Sequence, residues 1–204
     1  NWLVPNIGML FWDALRDYAG AAADLIVARL FERGRAFLLN SAQAGNGTYY
    51  DHYDPGYPPR SYSPDRWRWF KTEEDGRRIG IGDNMMMSAL GAQRMGDAAG
   101  VERFLKWAVP QDGAFYAYID VDTGGSGFHS SDRRYYDVVS SAMYYELCAK
   151  SGRLDAATRA SLDRIFTLSA GADGGYRWGL RPHGGWVQDA AEALVTGYWI
   201  ARAT

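Results

Sequence analysis

A repeat constrains this chain more than any other feature, because self-similarity at a fixed period dictates how a fold is assembled. Three segments share one pattern: Gly82-Asp83-Asn84-Met85-Met86-Met87-Ser88-Ala89-Leu90, Tyr136-Asp137-Val138-Val139-Ser140-Ser141-Ala142-Met143 and Gln188-Asp189-Ala190-Ala191-Glu192-Ala193-Leu194. In each, an Asp precedes a run of small and apolar residues. The three Asp stand roughly fifty residues apart, the period of a two-helix unit. Asp suits a helix start, where its carboxylate accepts free N–H groups and meets the positive end of the helix dipole. A looser copy, Ile7 to Leu15, lacks the Asp and is separated from the next by an insertion.

Further features recur in phase. A Gly turn follows each expected inner helix, at Ala19-Gly20, Met95-Gly96-Asp97 and Ser151-Gly152-Arg153. Amphipathic stretches come next, at 24–39, 98–108 and 155–168. In the last, Leu162, Ile165, Phe166 and Ser169 fall on one helical face while Asp163 and Arg164 can face water. Gly-aromatic stretches close the unit: Gly45-Asn46-Gly47-Thr48-Tyr49-Tyr50, Gln111-Asp112-Gly113-Ala114-Phe115-Tyr116 and Ala172-Asp173-Gly174-Gly175-Tyr176-Arg177-Trp178. Asn-Gly and Asp-Gly favour turns with positive φ, and the aromatics after them suit short extended segments. The unit is inner helix, Gly turn, outer helix, Gly-aromatic turn. Neighbouring units must pack to bury both helix faces.

Composition narrows the function. The chain has 204 residues, 47% of them hydrophobic, and a net charge of -2. That suits a single domain over 1–204 and gives no electrostatic basis for nucleic-acid binding. No run reaches the length of a membrane span, and no signal peptide is visible. The chain opens without Met, which reads as a fragment or processed chain, secreted or cytoplasmic. Aromatic residues make up 15%, with eight Trp and fourteen Tyr. Their flat faces and polar edges line sugar and isoprenoid sites as well as cores. Cys148, the single cysteine, reads as a small buried hydrophobe.

The order Asp-Gly-Gly-aromatic, then an Asp-opened helix ending in Gly152-Arg153-Leu154-Asp155, resembles the toroid repeat of terpenoid cyclases and protein prenyltransferases. Residues 137–176 carry it best. Gly82-Asp83-Asn84, Ala89-Leu90 and Met95-Gly96-Asp97 look like the helix pairs of six-hairpin glycosidases and α/α-toroid polysaccharide lyases. The resemblance implies an all-α fold, an α/α toroid of helical hairpins. With about three and a half hairpins present, part of the ring is expected to be missing. The cyclase motifs depart from this sequence. Asp120-Val121-Asp122-Thr123 is the nearest match to an acid motif, but Gly124 and Gly125 predict a turn there. No DDxxD motif and no prenyltransferase zinc set is present.

In such a fold Asp83, Asp137 and Asp189 converge on one mouth. Glycoside hydrolysis needs two carboxylates, one raised in pKa. Asp83 and Asp137 are therefore the leading catalytic pair, although helix capping alone also explains all three Asp. His129, on the Gly-rich run 124–137 beside Tyr135 and Tyr136, is the candidate proton-transfer partner; a solvated loop His is the other reading. The insertion between Gly47 and Ile81 holds Trp67 and Trp69 with Arg66 and Arg68, either as a substrate wall or as a self-packed loop. Trp67, Trp69, Tyr116, Trp178, Trp186 and Asp189 are the candidate substrate contacts. His52, His129 and His183 lack metal-ligand spacing, and no phosphate loop appears, so no metal or cofactor is expected.

The expectation is a glycoside hydrolase-like enzyme acting on an oligo- or polysaccharide. Three alternatives stand beside it: a polysaccharide lyase of similar fold, a terpenoid cyclase-like enzyme with Asp122 on a helix in a sealed cavity, and a non-catalytic repeat scaffold whose Asp residues are all spent as caps.

Overall fold

A computed structural model describes Gly20 and residues 43–54, 56, 64–128, 134–181, 186–187 and 190–203. The expected helices at 7–15 and 24–39 lie outside those residues. So do His129, His183 and Asp189.

Two helical hairpins follow from local signals. Helix α1 (Gly82–Arg94) is joined to α2 (Ala98–Trp107), and α3 (Val138–Lys150) to α4 (Ala156–Ser169). Both turns use the same device. Gly96 and Gly152 adopt φ of +79° and +66°, a region costly for other residues. The next amide then reaches back over the helix end, Asp97 to the Ala92 carbonyl at 2.9 Å and Arg153 to the Cys148 carbonyl at 2.8 Å. Each second helix is opened by an Asp: Asp97 accepts from Gly100 N at 2.9 Å, and Asp155 from Thr158 N at 2.7 Å. Helix α5 (Ala190–Ala203) follows. Helix α3 is central: it packs against α1, α4 and α5, and every residue from Val138 to Cys148 is buried.

The connectors correct the all-α toroid expectation. Among the described residues they pair into three antiparallel sheets, so the fold is mixed α and β. Strand β1 (His52–Tyr53) pairs with β2 (Trp67–Arg68), which a 3₁₀ turn at Pro64–Arg66 precedes. Strand β4 (Arg78–Ile81) lies between β3 (Lys71–Thr72) and β6 (Tyr118–Asp120). In the third sheet β5 (Phe115–Tyr116), β7 (Tyr136–Asp137), β8 (Gly179–Leu180) and β9 (Trp186–Val187) are neighbours in that order. The physical reason is backbone accounting: connectors lying against a core must satisfy their N–H and C=O groups, and the Gly-aromatic segments do so by pairing with one another. The Asp112-Gly113 turn before β5 shows the geometry, with φ of 50° and 83° and both Gln111–Ala114 backbone bonds formed.

One charge is buried inside α3. Glu146 has a side chain only 3% exposed, bonded by Arg202 of α5 at 2.7 Å and by Lys150 one turn on. Burial pushes its pKa up, but the two cations more than offset this and hold the carboxyl below its ordinary range. A depressed carboxyl stabilises the fold above the unfolded pKa, and that contribution is lost as pH falls through the folded value. Arg202→Ala should therefore destabilise the protein at pH 7 by about 1–3 kcal/mol. The difference from wild type should shrink below about pH 4, where Glu146 protonates in the unfolded chain. Urea unfolding at both pH values measures it.

Candidate functional site

The site begins with a missing side chain. Gly82 opens α1, and its amide donates to the Ala117 carbonyl at 2.9 Å. A Cβ there would lie 2.8 Å from both Ser140 Oγ and the Tyr116 carbonyl oxygen. Only glycine lets the N-termini of α1 and α3 approach this closely, and the approach brings Asp83 and Asp137 into mutual range.

Asp137 caps α3. Its Oδ1 accepts from Val139 N at 3.0 Å and its Oδ2 from the Ser140 hydroxyl, and the residue is 2% exposed. Asp83 is placed differently from the sequence expectation. The helix starts two residues earlier than a cap at Asp83 would require, with Ile81 at the cap position and no side-chain cap bond. Asp83, half-buried on the first turn, is left with Oδ1 buried and without a hydrogen-bond partner among the described residues. Burial raises the pKa of Asp83, against the backbone N–H groups of Asn84 and of Asp83 itself. Burial also raises Asp137, and the neighbouring Asp83 charge adds to it, against bonds from Ser140 and Val139. Two carboxylates this close in a desolvated place resist ionising together.

A third carboxylate joins them that the repeat did not signal. Asp51 accepts from Ile81 N at 2.8 Å and from Phe70 N at 2.8 Å. Burial, with the Asp83 charge adding to it, pushes its pKa up to about 7 despite those bonds and one from the Asn84 side chain. Its partners lie far off in the chain, so no local pattern could have marked it.

Aromatic rings gather around the same helix starts. Phe70 packs on Tyr118 at 5.5 Å, Tyr118 on Phe128 at 4.9 Å, and Tyr135 on Trp178 at 5.0 Å between ring centres. Backbone bonds tie this row to the acids: Ala117 N donates to the Tyr135 carbonyl, and Val138 N to the Trp178 carbonyl. Trp69 is half-buried against Tyr50 at 4.4 Å, with the Arg78 guanidinium 5.8 Å from its ring. Tyr116, also half-buried, stacks on Tyr136 at 4.8 Å. Trp67 is buried between Tyr50 and Tyr53, the self-packed alternative for that part of the insertion. Trp186 stands opposite Leu180 in β9.

Asp122 lies in the turn that Gly124 and Gly125 predicted, exposed and paired with Arg78. That is not the sealed helical acid a terpenoid cyclase-like site requires. Among the described residues no group of three His, Cys, Asp or Glu is placed to hold a metal ion, and no helix is long and apolar enough to cross a membrane. A cavity of about 230 Å³, lined by Tyr144, Ser161 and Leu162 among others, is apart from the three carboxylates.

No protein-family model matches the chain, and no curated protein matches it. Among solved structures it is similar to one described as a "putative glucoamylase from Bacteroides fragilis NCTC 9343", at 16% identity and a TM-score of 0.42. The match covers 76% of this chain and 39% of that one.

Raised carboxyl pKa values set the sign of a stability test. The protonated form is favoured in the fold, so the contribution is complete below the unfolded pKa near 3.9 and is lost as pH rises through the folded value. Asp83→Asn removes a charge from the cluster. Its melting temperature should match wild type at pH 4 and exceed it at pH 8, as calorimetry at the two pH values would register.

Proposed function

We propose that the chain belongs to a carbohydrate-active enzyme that cleaves glycosidic bonds, glycoside hydrolase-like, with Asp83 as the acid. The observation that carries this is Asp83 Oδ1: a buried, unpartnered carboxyl oxygen on a helix start, beside a second carboxylate and close to a row of aromatic rings. A carboxyl whose pKa burial raises can donate its proton to a leaving glycosidic oxygen as the C–O bond breaks and a water oxygen bonds the anomeric carbon. Asp137, hydrogen-bonded through both oxygens, fits the part of a fixed neighbour that resists ionising together with Asp83. His129 is the proposed partner in proton transfer with water.

Half-buried Trp69, Tyr116 and Trp178 offer ring faces of the kind that stack on sugars, with Trp67 bracing Tyr50 from within. Trp186 and Asp189 are proposed as further substrate contacts. The non-catalytic scaffold reading requires every repeat Asp to be spent on capping. Asp137 meets that condition, whereas Asp83 lies inside the first turn rather than at the cap position, and its Oδ1 has no partner among the described residues.

A screen of the full-length enzyme on neutral and uronic-acid glycans tests the reading, because an eliminating lyase would leave an ultraviolet-absorbing unsaturated end and a hydrolase would not. On a substrate so found, Asp83→Asn should lower kcat about 10²–10⁴-fold. Trp69→Ala should act mainly through KM. Undiminished turnover in Asp83→Asn would remove Asp83 from the chemistry.

A further inference from the structure

Helix α1 is capped in an unusual way. Its cap residue, Ile81, has no side chain able to accept a hydrogen bond, and the carboxylate that serves this end comes from thirty positions upstream. Asp51 Oδ1 takes Ile81 N and Oδ2 takes Phe70 N, each at 2.8 Å. The Asn84 side chain bonds the same carboxylate. Gly80 lies beneath it: a Cβ there would stand 3.5 Å from Asp51 Oδ2 and would collide with the Met85 methyl. One carboxylate thus grips the link between β2 and β3 that carries Trp69 and Phe70 and, with its other oxygen, the start of the helix that carries Asp83.

We infer that Asp51 is the positioning residue of this site, fixing the aromatic link between β2 and β3 and the Asp83 carboxyl in one geometry. The inference rests on the reading of Asp83 as the acid. A neutral residue could not do the same work. Asn presents one acceptor oxygen, so its NH₂ group would be forced against one of the two backbone N–H donors. A local Ser or Asp at position 81 would cap the helix but leave Phe70 unattached. The chain instead sets Asp51 beside Asp83, which itself adjoins Asp137 on α3, at an electrostatic cost that a plain cap would not incur. Arg78, the cation on the adjoining strand, is engaged with Asp122.

Titration of the Asp side-chain carboxyl carbons by NMR, on the full chain labelled with ¹³C-Asp, tests this without any substrate. Asp51→Asn should lower the Asp83 midpoint by about one pH unit, and Asp51→Glu should restore part of it. Asp83→Asn should lower the Asp51 midpoint in the same sense. If Asp51→Asn lowers thermal stability but leaves the Asp83 midpoint where it was, Asp51 is a structural cap only and the inference is overturned. Should Asp51→Asn not fold, the Asp83→Asn arm decides alone: an unmoved Asp51 midpoint overturns the inference. A glycan screen that finds no activity would remove the proposed reaction while leaving these titrations standing.

Discussion

The meeting of two helix N-termini at Gly82 governs the rest of this structure. Without a Cβ, α1 comes within van der Waals reach of Ser140 and the Tyr116 carbonyl, and its amide is tied to Ala117. Two positive helix ends then share a small volume, a place that favours negative charge. The chain puts Asp83 and Asp137 there and reaches across with Asp51. The helix ends do not fully offset the lost hydration, so all three carboxyls are pushed up from the ordinary range.

Glu146 shows the opposite treatment of the same kind of group. It is as deeply buried as Asp137, yet Arg202 and Lys150 hold it charged. In Glu146 a buried carboxylate is matched by cations and links α3 to α5. In Asp83 one oxygen is left unmatched among the described residues. The difference is what the proposed role of Asp83 calls for, since a site that does chemistry accepts a cost in stability.

The strands join the helical hairpins by more than helix packing. Residues from successive connectors lie opposite one another, Phe115 against Asp137 and Asp137 against Gly179. This ladder positions Asp137 between two neighbouring connectors before it caps α3. It also sets Tyr116 and Tyr136 side by side. Tyr116 and Tyr136 therefore both extend the backbone for pairing and stack their rings next to Asp137 in the ladder.

Local bonding was legible in the amino-acid order. Gly96, Gly152, Asp97, Asp137 and Asp155 each act within a few residues of themselves, so turn and cap chemistry could be read from spacing alone. The repeat also pointed to Asp83, but its place one residue inside the helix came from Gly82 packing on Ser140. The mixed α and β character was hidden, because two-residue strands have too little periodicity to declare themselves and exist only through partners far along the chain. Asp51 was hidden for the same reason: an acid in a Tyr-rich segment becomes part of a site only when residues 70 and 81 are folded onto it. Short-range hydrogen bonds are written in neighbouring letters, whereas the desolvation and charge crowding that set these pKa values arise only once distant segments exclude water together.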